Sequence, residues 1–262
     1  MKKKDVSYMK KKDPKPIPAM LSLFILALSC ISLGSGLIAT GGSSSNKQLP
    51  IYCVETDKPY ISISFDAAWG NEDTAEILKI LKKHNVHCTF FMTGEWIGKY
   101  PDDVKAILEA GHDLGNHSEN HKNMSQLSKE DIKLELQKPH DKVKELTGYE
   151  MFLFRPPYGD YDDDVVTCAK EMGYYTIQWD VDSLDWKDYG VDSIIETVVG
   201  HKHLGNGSII LCHNGAKYTA KALDTMLTKL KDAGYEFVPI SELIIKEDYY
   251  MDHEGRQKKE EK

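Results

Sequence analysis

The sequence predicts a parallel α/β fold, with roughly seven strand and helix units in about 190 residues. Strand-like and helix-like patterns alternate from about residue 58 to residue 246, as expected when each strand is followed by a covering helix. Neither a G-x-G-x-x-G segment nor a P-loop occurs, so a nucleotide-binding fold has no positive support. Periodicity leaves two arrangements open, a (β/α) barrel and a doubly wound sheet.

The individual elements follow from residue spacing. Tyr60–Asp66 alternates apolar and polar residues and is predicted to be a strand, whereas Thr74–Lys83 has apolar residues at helical spacing. Ser128 with Asp131 predicts a capped helix start, and Pro139 is expected to kink or split that helix. Further strands are predicted at Val86–Thr93, His112–Asn116, Phe152–Arg155, Tyr174–Asp180, Ser208–His213 and Phe237–Ile240. Further helices are predicted from Pro101 to Gly111 and at Asp163–Met172, Val191–His201 and Thr219–Ala233.

Charge is distributed unevenly along the chain. Residues 1–18 contain seven Lys and two Asp and so carry a charge of +5. The net charge of the whole chain is −8, so the remaining residues carry −13. An acidic body lacks the basic surface that neutralises phosphates, which argues against a nucleic-acid-binding protein. The five cysteines are odd in number and widely spaced, so they predict neither a disulfide framework nor a cysteine zinc site. Cys88 and Cys212 lie in apolar strand-like segments and are predicted to be buried thiols.

The N-terminal segment predicts a membrane anchor. Ile17–Ala39 has no charged residue and is long enough to span a bilayer as a helix. The preceding lysines place the N-terminus in the cytoplasm, so the body is expected outside a cell membrane that it crosses once. A cleaved signal peptide with secretion is the alternative. We therefore divide the chain into five parts: a basic head (1–18), a transmembrane signal anchor (19–40), a linker (41–57), one catalytic domain (58–246) and a charged, frayed tail (247–262).

Polar residues occur where the predicted strands end. Asp66 ends the first strand, Arg155 ends a later one, and His213 ends the segment Ser208–His213. The carboxyl ends of parallel strands meet on one face of the sheet, where active sites form. His117 and His121 are four residues apart, a spacing that lets two imidazoles on one helical turn reach a single metal ion. Each feature alone is equally typical of a structural residue, whereas their common position at strand ends favours an active site.

Five short motifs in this order resemble the polysaccharide deacetylase family, also called the NodB-homology domain or carbohydrate esterase family 4. The resemblance extends from about Pro59 to Ile245. The motifs are SFDAAWG from Ser64, HSENH from His117, RPPYG from Arg155, DSLDW from Asp182 and LCH ending at His213. The resemblance implies a distorted (β/α) barrel of about seven parallel strands, with a divalent metal ion, usually Zn²⁺, in a groove for long glycans.

The resemblance also implies a role for each matched residue. His117 and His121 would bind the metal ion, Asp66 would act as general base, and His213 would act as general acid. Arg155 would orient Asp66, and Asp185 would keep His213 protonated. The backbone N–H of Tyr158 would stabilise the oxyanion. The acetyl methyl group would pack against Trp186 and Leu211, beside Tyr158.

One position departs from the family pattern. The family's first motif has a second acid, which is its third metal ligand, whereas Ala67 follows Asp66 here. Asp73, at the start of the next helix, is the predicted replacement, although it could instead cap that helix. Direct binding of the metal ion by Asp66, or a water in the third position, are further alternatives.

The predicted activity is removal of acetyl groups from an N-acetylated polysaccharide, with peptidoglycan as the substrate. A chitin or xylan deacetylase or esterase on the same scaffold is one alternative. A degenerate member that binds glycan without turnover is another, because Ala67 removes the expected third ligand. The expected partners are therefore a glycan and, through the N-terminal helix, a membrane, with no nucleic acid.

Overall fold

The computed structural model describes residues 47–260, which form a curled parallel sheet with helices packed against it. The strands are β1 (Cys53–Val54), β2 (Tyr60–Ala67), β3 (Thr89–Met92), β4 (Asp113–Asn116), β5 (Leu153–Phe154), β6 (Tyr175–Thr176), β7 (Val181–Asp182), β8 (Ile209–His213), β9 (Glu236–Phe237), β10 (Tyr249–Met251) and β11 (Arg256–Lys259). The helices are α1 (Thr74–Lys83), α2 (Gly94–Lys99), α3 (Pro101–Glu109), α4 (Lys129–Thr147), α5 (Asp163–Glu171), α6 (Val191–Val199), α7 (Thr219–Asp232) and α8 (Ile240–Leu243).

The predicted head, membrane anchor and residues 41–46 of the linker lie outside the described residues. Within residues 47–260, no helix combines the length and apolar character that a membrane span requires.

Seven strands form the main sheet in the order β6–β5–β4–β3–β2–β8–β7, and each neighbouring pair is parallel. Strand β9 adds a short parallel pairing to the start of β2. The sheet curls into a distorted (β/α) barrel, which confirms the predicted fold class and decides between the two arrangements that periodicity left open. All carboxyl ends of the seven strands therefore point to the same face.

The central strand β2 is buried on both faces. Ile61, Ile63 and Phe65 are fully buried in the main apolar cluster with the helices, as their alternation predicts. Ser62 and Ser64 point the other way, and their hydroxyls donate to backbone carbonyls at 2.7 and 2.8 Å. The serines thus satisfy their buried hydroxyls inside the barrel. The alternation then continues to Asp66, which emerges at the carboxyl end of the strand.

Helix ends agree with the capping signals. Helix α1 spans the predicted range, and Ser128 Oγ accepts a hydrogen bond from the Asp131 backbone at the start of α4. Helix α4 continues through Pro139 and ends at Gly148, whose φ of 77° is the left-handed conformation typical of a helix C-terminus. Pro139 therefore does not split this helix. Helix α2, which we did not predict, starts where Thr93 accepts from the Trp96 N–H.

Only Tyr175–Thr176 of the predicted strand Tyr174–Asp180 forms a strand, and a second strand begins directly after Asp180. Residues 175–176 form β6 and pair with β5, whereas residues 181–182 form β7 and pair with β8. One stretch of chain thus leaves one edge of the sheet and joins the opposite edge. The alternation of residues along the chain cannot reveal such a change of pairing partner, because the pairing depends on which strands are adjacent in space.

The described part of the C-terminal tail is also different from the prediction. Strands β10 and β11 form an antiparallel hairpin, and β11 pairs in parallel with β1. Gln257, fully buried, exchanges two hydrogen bonds with the backbone of Ile245. These contacts hold residues 249–259 against the domain, so this part of the tail is not frayed.

Candidate active site

A pocket of about 430 Å³ opens at the carboxyl ends of the strands. Its lining includes seven of the site residues that we predicted from the sequence. These seven residues come from five separate segments of the chain. The lining residues are Asp66, Ala68, Trp69, His117, His121, Tyr158, Trp179, Asp182, Trp186, Leu211 and His213.

Asp66 is a buried carboxylate paired with a buried arginine. Arg155 Nη1 donates to Asp66 Oδ1 at 2.7 Å, and Arg155 Nη2 donates to the Gln178 carbonyl at 3.2 Å. Burial raises the pKa of Asp66, but the charges of Arg155, His117 and His213 outweigh burial and hold that pKa below its ordinary value. The carboxylate is therefore ionised at neutral pH, which is the state that a general base requires.

His117 presents one ring nitrogen to the pocket. Its Nδ1 lies 2.7 Å from the Arg155 carbonyl oxygen, which can only accept, so Nδ1 carries the proton. Its Nε2 lies 3.5 Å from Asp66 Oδ2. Burial is the main cause that lowers the pKa of His117 to about 4. The ring is thus neutral at neutral pH, with an unprotonated Nε2 that can bind a metal ion.

His121 lies beside His117 on a tightly held loop. The ring centroids are 4.9 Å apart, and burial lowers the pKa of His121. His121 has a φ of 52°, and its N–H donates to Ser118 Oγ. The loop is fixed from α4 by Glu135, whose carboxylate accepts from Asn120 N at 2.8 Å and Asn120 Nδ2 at 2.7 Å. The motif residues are therefore brought together, as predicted, but by a loop and not by a helical turn.

His213 is paired with a fully buried carboxylate. Its Nδ1 lies 2.7 Å from Asp185 Oδ1, and its backbone N–H donates to Asp185 Oδ2 at 2.7 Å. Burial lowers the pKa of His213, but the hydrogen bond and charge of Asp185, together with Asp66 and Asp182, raise it above the ordinary value. Thr219 Oγ1 also donates to Asp185 Oδ2. This arrangement favours a protonated imidazole at the pocket.

The remaining predicted pocket residues form its walls. Tyr158 has a φ of 60° in the turn Pro157–Gly159, and its ring packs edge-on against His121 at 4.5 Å between centroids. Trp186 is half exposed at the rim, whereas Leu211 is buried. An apolar wall beside polar groups suits a small acyl group.

Asp73 does not line the pocket. Its Oδ1 accepts from Asn214 Nδ2 and from the Gly215 N–H, each at 2.8 Å. It stands at the cap position of α1 but makes no side-chain capping bond there. Ala67 is fully buried in the main apolar cluster. These contacts support neither of the two roles that we predicted for Asp73, metal ligand and helix cap. The Asp73 carboxylate instead binds the two residues that follow His213.

The donor set fits a divalent metal ion only in part. Imidazole nitrogens suit Zn²⁺, and a catalytic zinc site usually has three protein ligands. Within residues 47–260, no group of three or more His, Cys, Asp or Glu side chains is placed to hold a metal ion. His117 and His121 therefore offer two imidazole ligands, and Asp66, whose Oδ2 lies 3.5 Å from His117 Nε2, is the carboxylate beside them.

Sequence reasoning missed several pocket residues. Trp69 stacks on His213 with ring centroids 5.1 Å apart, and Ala68 and Trp179 also line the pocket. Trp69 lies within the motif SFDAAWG, so its proximity to the site could have been inferred, although its contacts could not. Cys53, Cys88, Cys168 and Cys212 are buried free thiols, and none of them lines the pocket.

Comparisons with known proteins agree with this geometry. The polysaccharide deacetylase family profile matches residues 54–177. The chain is 38% identical over 208 residues to an uncharacterised 30.6 kDa protein of Geobacillus stearothermophilus, covering 76% of each. It is 33% identical over 205 residues to the peptidoglycan-N-acetylmuramic acid deacetylase PdaA of Bacillus subtilis, covering 75% of this chain and 76% of PdaA.

Two further similarities differ in what they indicate about activity. The chain is 39% identical over 183 residues to the peptidoglycan-N-acetylglucosamine deacetylase PgdA of Listeria monocytogenes, of which it spans only 38%. A solved Bacillus anthracis structure, described as a carbohydrate esterase family 4 pseudoenzyme, superposes with a TM-score of 0.71 at 39% identity, covering 74% of this chain and 68% of that one. A mutant of that pseudoenzyme is described as having restored activity. With this fold, these relatives and the assembled motif residues, the chain belongs to the polysaccharide deacetylase family of hydrolases.

Proposed function

We propose that this protein is a metal-dependent de-N-acetylase that acts on peptidoglycan. One observation carries the proposal: an ionised carboxylate and an imidazole with a raised pKa face the same pocket, each held by its own buried partner. Asp66 is held by Arg155, and His213 by Asp185. A base and an acid kept in opposite protonation states are what amide hydrolysis needs.

The proposed reaction follows from these residues. Asp66 accepts a proton from water as the water oxygen bonds to the acetamide carbon. The Tyr158 backbone N–H donates to the developing oxyanion. The C–N bond then breaks, and His213 gives its proton to the departing amine, leaving acetate and a free amino sugar. Trp186 and Leu211 hold the acetyl methyl group.

His117 and His121 are the residues that would hold the divalent cation, with Zn²⁺ as our candidate. When bound, the cation polarises the carbonyl and lowers the pKa of water. The neutral ring of His117, with its Nδ1 proton engaged by the Arg155 carbonyl, supports this role.

The substrate and location are proposed on separate grounds. Relatives named peptidoglycan deacetylases support cell-wall glycan as the substrate. The basic head and apolar segment of the N-terminus support an anchored domain on the outer side of the membrane, where that glycan lies. Membrane fractionation and N-terminal sequencing of the mature protein distinguish this from cleavage and secretion.

The test of activity is acetate release by the full chain in detergent. Peptidoglycan fragments, N-acetylglucosamine oligomers and acetylated xylan are compared, each with Zn²⁺, Co²⁺ or chelator. We expect acetate from peptidoglycan with metal, and little with chelator. The mass of the product fragments then identifies the deacetylated sugar. Release only from xylan or chitin-type oligomers would replace peptidoglycan by those substrates, and no release with any metal would overturn the proposal.

A second candidate, glycan binding without turnover, is favoured by Ala67 and by the pseudoenzyme among the similar structures. It predicts oligosaccharide binding that is the same for the unaltered protein and for Asp66→Asn or His213→Ala, with no acetate from any of them. Calorimetry beside the acetate assay separates the two functions.

A further inference from the structure

The carboxylate of Asp73 contacts the chain directly after His213. Asp73 Oδ1 accepts from both Asn214 and Gly215, and the buried Asn214 side chain accepts in turn from Thr74 Oγ1 at 3.0 Å. The Asn214 N–H donates to the Asp66 carbonyl. Because these two residues directly follow His213, this network fixes the backbone next to the imidazole.

The segment between β2 and α1, which ends at Asp73, also contacts the His213 ring. Trp69 stacks on His213 with an interplanar angle of 16°. Trp96 Nε1 donates to the Gly70 carbonyl at 3.1 Å, which holds the segment from its other side. Gly215 has a φ of 85°, and a Cβ there would lie 3.1 Å from the Gly70 nitrogen, so glycine permits the close approach of the two loops.

His213 is therefore constrained in three ways. Asp185 binds its ring edge and its backbone, Trp69 covers one ring face, and Asp73 fixes the loop that follows. Positioning of this kind matters in catalysis because a proton donor must lie within hydrogen-bond reach of the leaving group.

We propose that Asp73 is a positioning residue for His213, acting through Asn214 and Gly215, with Trp69 as the ring contact of the same segment. The inference rests on the proposed function, in which His213 protonates the departing amine. It replaces the idea that Asp73 is the third metal ligand in place of the acid missing at Ala67.

The test compares Asp73→Asn with Asp73→Ala. Asparagine keeps an oxygen that can accept from Asn214 and Gly215, whereas alanine keeps none. We expect kcat of Asp73→Asn within about threefold of the unaltered enzyme, and kcat of Asp73→Ala about tenfold lower at unchanged KM. Glu76→Ala is the matched control, because Glu76 is an exposed acid in the first turn of the same helix. It should leave kcat unchanged.

Two readouts are independent of turnover. The imidazole NMR signals of His213, identified by their loss in His213→Gln, should shift in Asp73→Ala and stay in place in Asp73→Asn. Bound Zn²⁺ should be the same in both variants. If Asp73→Ala does not fold, Trp69→Leu, at a half-exposed position, should shift the same signals by removing the stacked ring.

Loss of bound Zn²⁺ in Asp73→Asn would identify a metal ligand and overturn the inference. Unchanged kcat and unchanged His213 signals in Asp73→Ala would overturn it as well. Absence of acetate from the unaltered protein would instead refute the proposed function, and the NMR and zinc measurements would still decide the placement of Asp73.

Discussion

The two sides of the pocket differ in how their functional side chains are paired with other groups. The proton-transfer side comprises Asp66, Arg155, Asp185 and His213. Both of its pairs are joined at 2.7 Å, and all of these side chains are buried except His213, which is partly buried. Buried charges are costly unless they are paired and hydrogen-bonded. Each charge on this side has such a partner, so the protonation states of the proposed base and acid are set by the fold.

The imidazole side comprises His117, His121 and the loop between them. The His117 ring donates to the Arg155 carbonyl and the His121 backbone N–H donates to Ser118 Oγ, and Ala67 follows Asp66 where we expected a second acid. The proposed base and the proposed acid thus each have a buried charged partner, whereas the two imidazoles have no carboxylate at position 67 beside them.

Asp66→Asn is expected to lower kcat by about 10²- to 10⁴-fold, because an amide cannot accept the proton of water. The measurement is acetate release from the best peptidoglycan fragment. Asp192→Asn, on the exposed start of α6, is the control for loss of one negative charge. Retention of more than a tenth of the activity would mean that the proton-transfer side does not contain the base.

Glu135→Ala is expected to weaken zinc binding by about 10- to 100-fold, as for other groups that orient metal ligands. The change removes both hydrogen bonds from Asn120 to α4, so the loop between the histidines loses this part of its support. Calorimetric titration with Zn²⁺ checks it, with Glu130→Ala in the first turn of the same helix as the control. Equal affinity in both variants would show that this loop is rigid without Glu135.

Asp185→Asn is expected to move the alkaline limit of activity to lower pH. The pKa of His213 is raised by Asp185, and activity requires the protonated ring, so activity is lost as pH rises through that pKa. Removing the carboxylate charge lowers the pKa, and the loss then begins at lower pH. The pH profile of kcat/KM measures this shift, and an alkaline limb at the original pH would assign it to another group.

Tyr158→Phe is expected to change kcat by no more than about twofold, because the proposed oxyanion donor is the backbone N–H. The side chain is 69% exposed and contacts His121 through its ring, which phenylalanine retains. Steady-state kinetics provide the test. A loss of tenfold or more would show that the hydroxyl takes part in binding or catalysis.

Much of the fold could be predicted from local patterns. The limits of α1 and the buried face of β2 follow from spacing alone, because each is decided by one helix or one strand. The early end of β6 at Thr176, the start of β7 after Asp180 and the ordered tail could not be predicted. All of them depend on pairing with distant segments, such as β11 with β1.

The candidate site also contains features that the sequence could predict and features that it could not. Strand ends identified Asp66 and His213, because parallel topology alone brings those ends together. The contacts of Asp73 and the stacking of Trp69 depend on the path of two loops, which the residue pattern does not encode. The contacts of Asp73 with Asn214 and Gly215 could therefore not be predicted from its proximity in sequence to Ala67.

The chain between β6 and β7, residues 177–180, has a consequence for the thermal stability of the activity. Gln178 within it accepts from Arg155 and donates to the Gly159 carbonyl, and Trp179 lines the pocket. The chain that runs from one edge of the sheet to the other thus also braces the arginine beneath the proposed base. Local opening of this chain on heating would disable turnover while the apolar cluster remained folded, so thermal inactivation is expected to precede global unfolding.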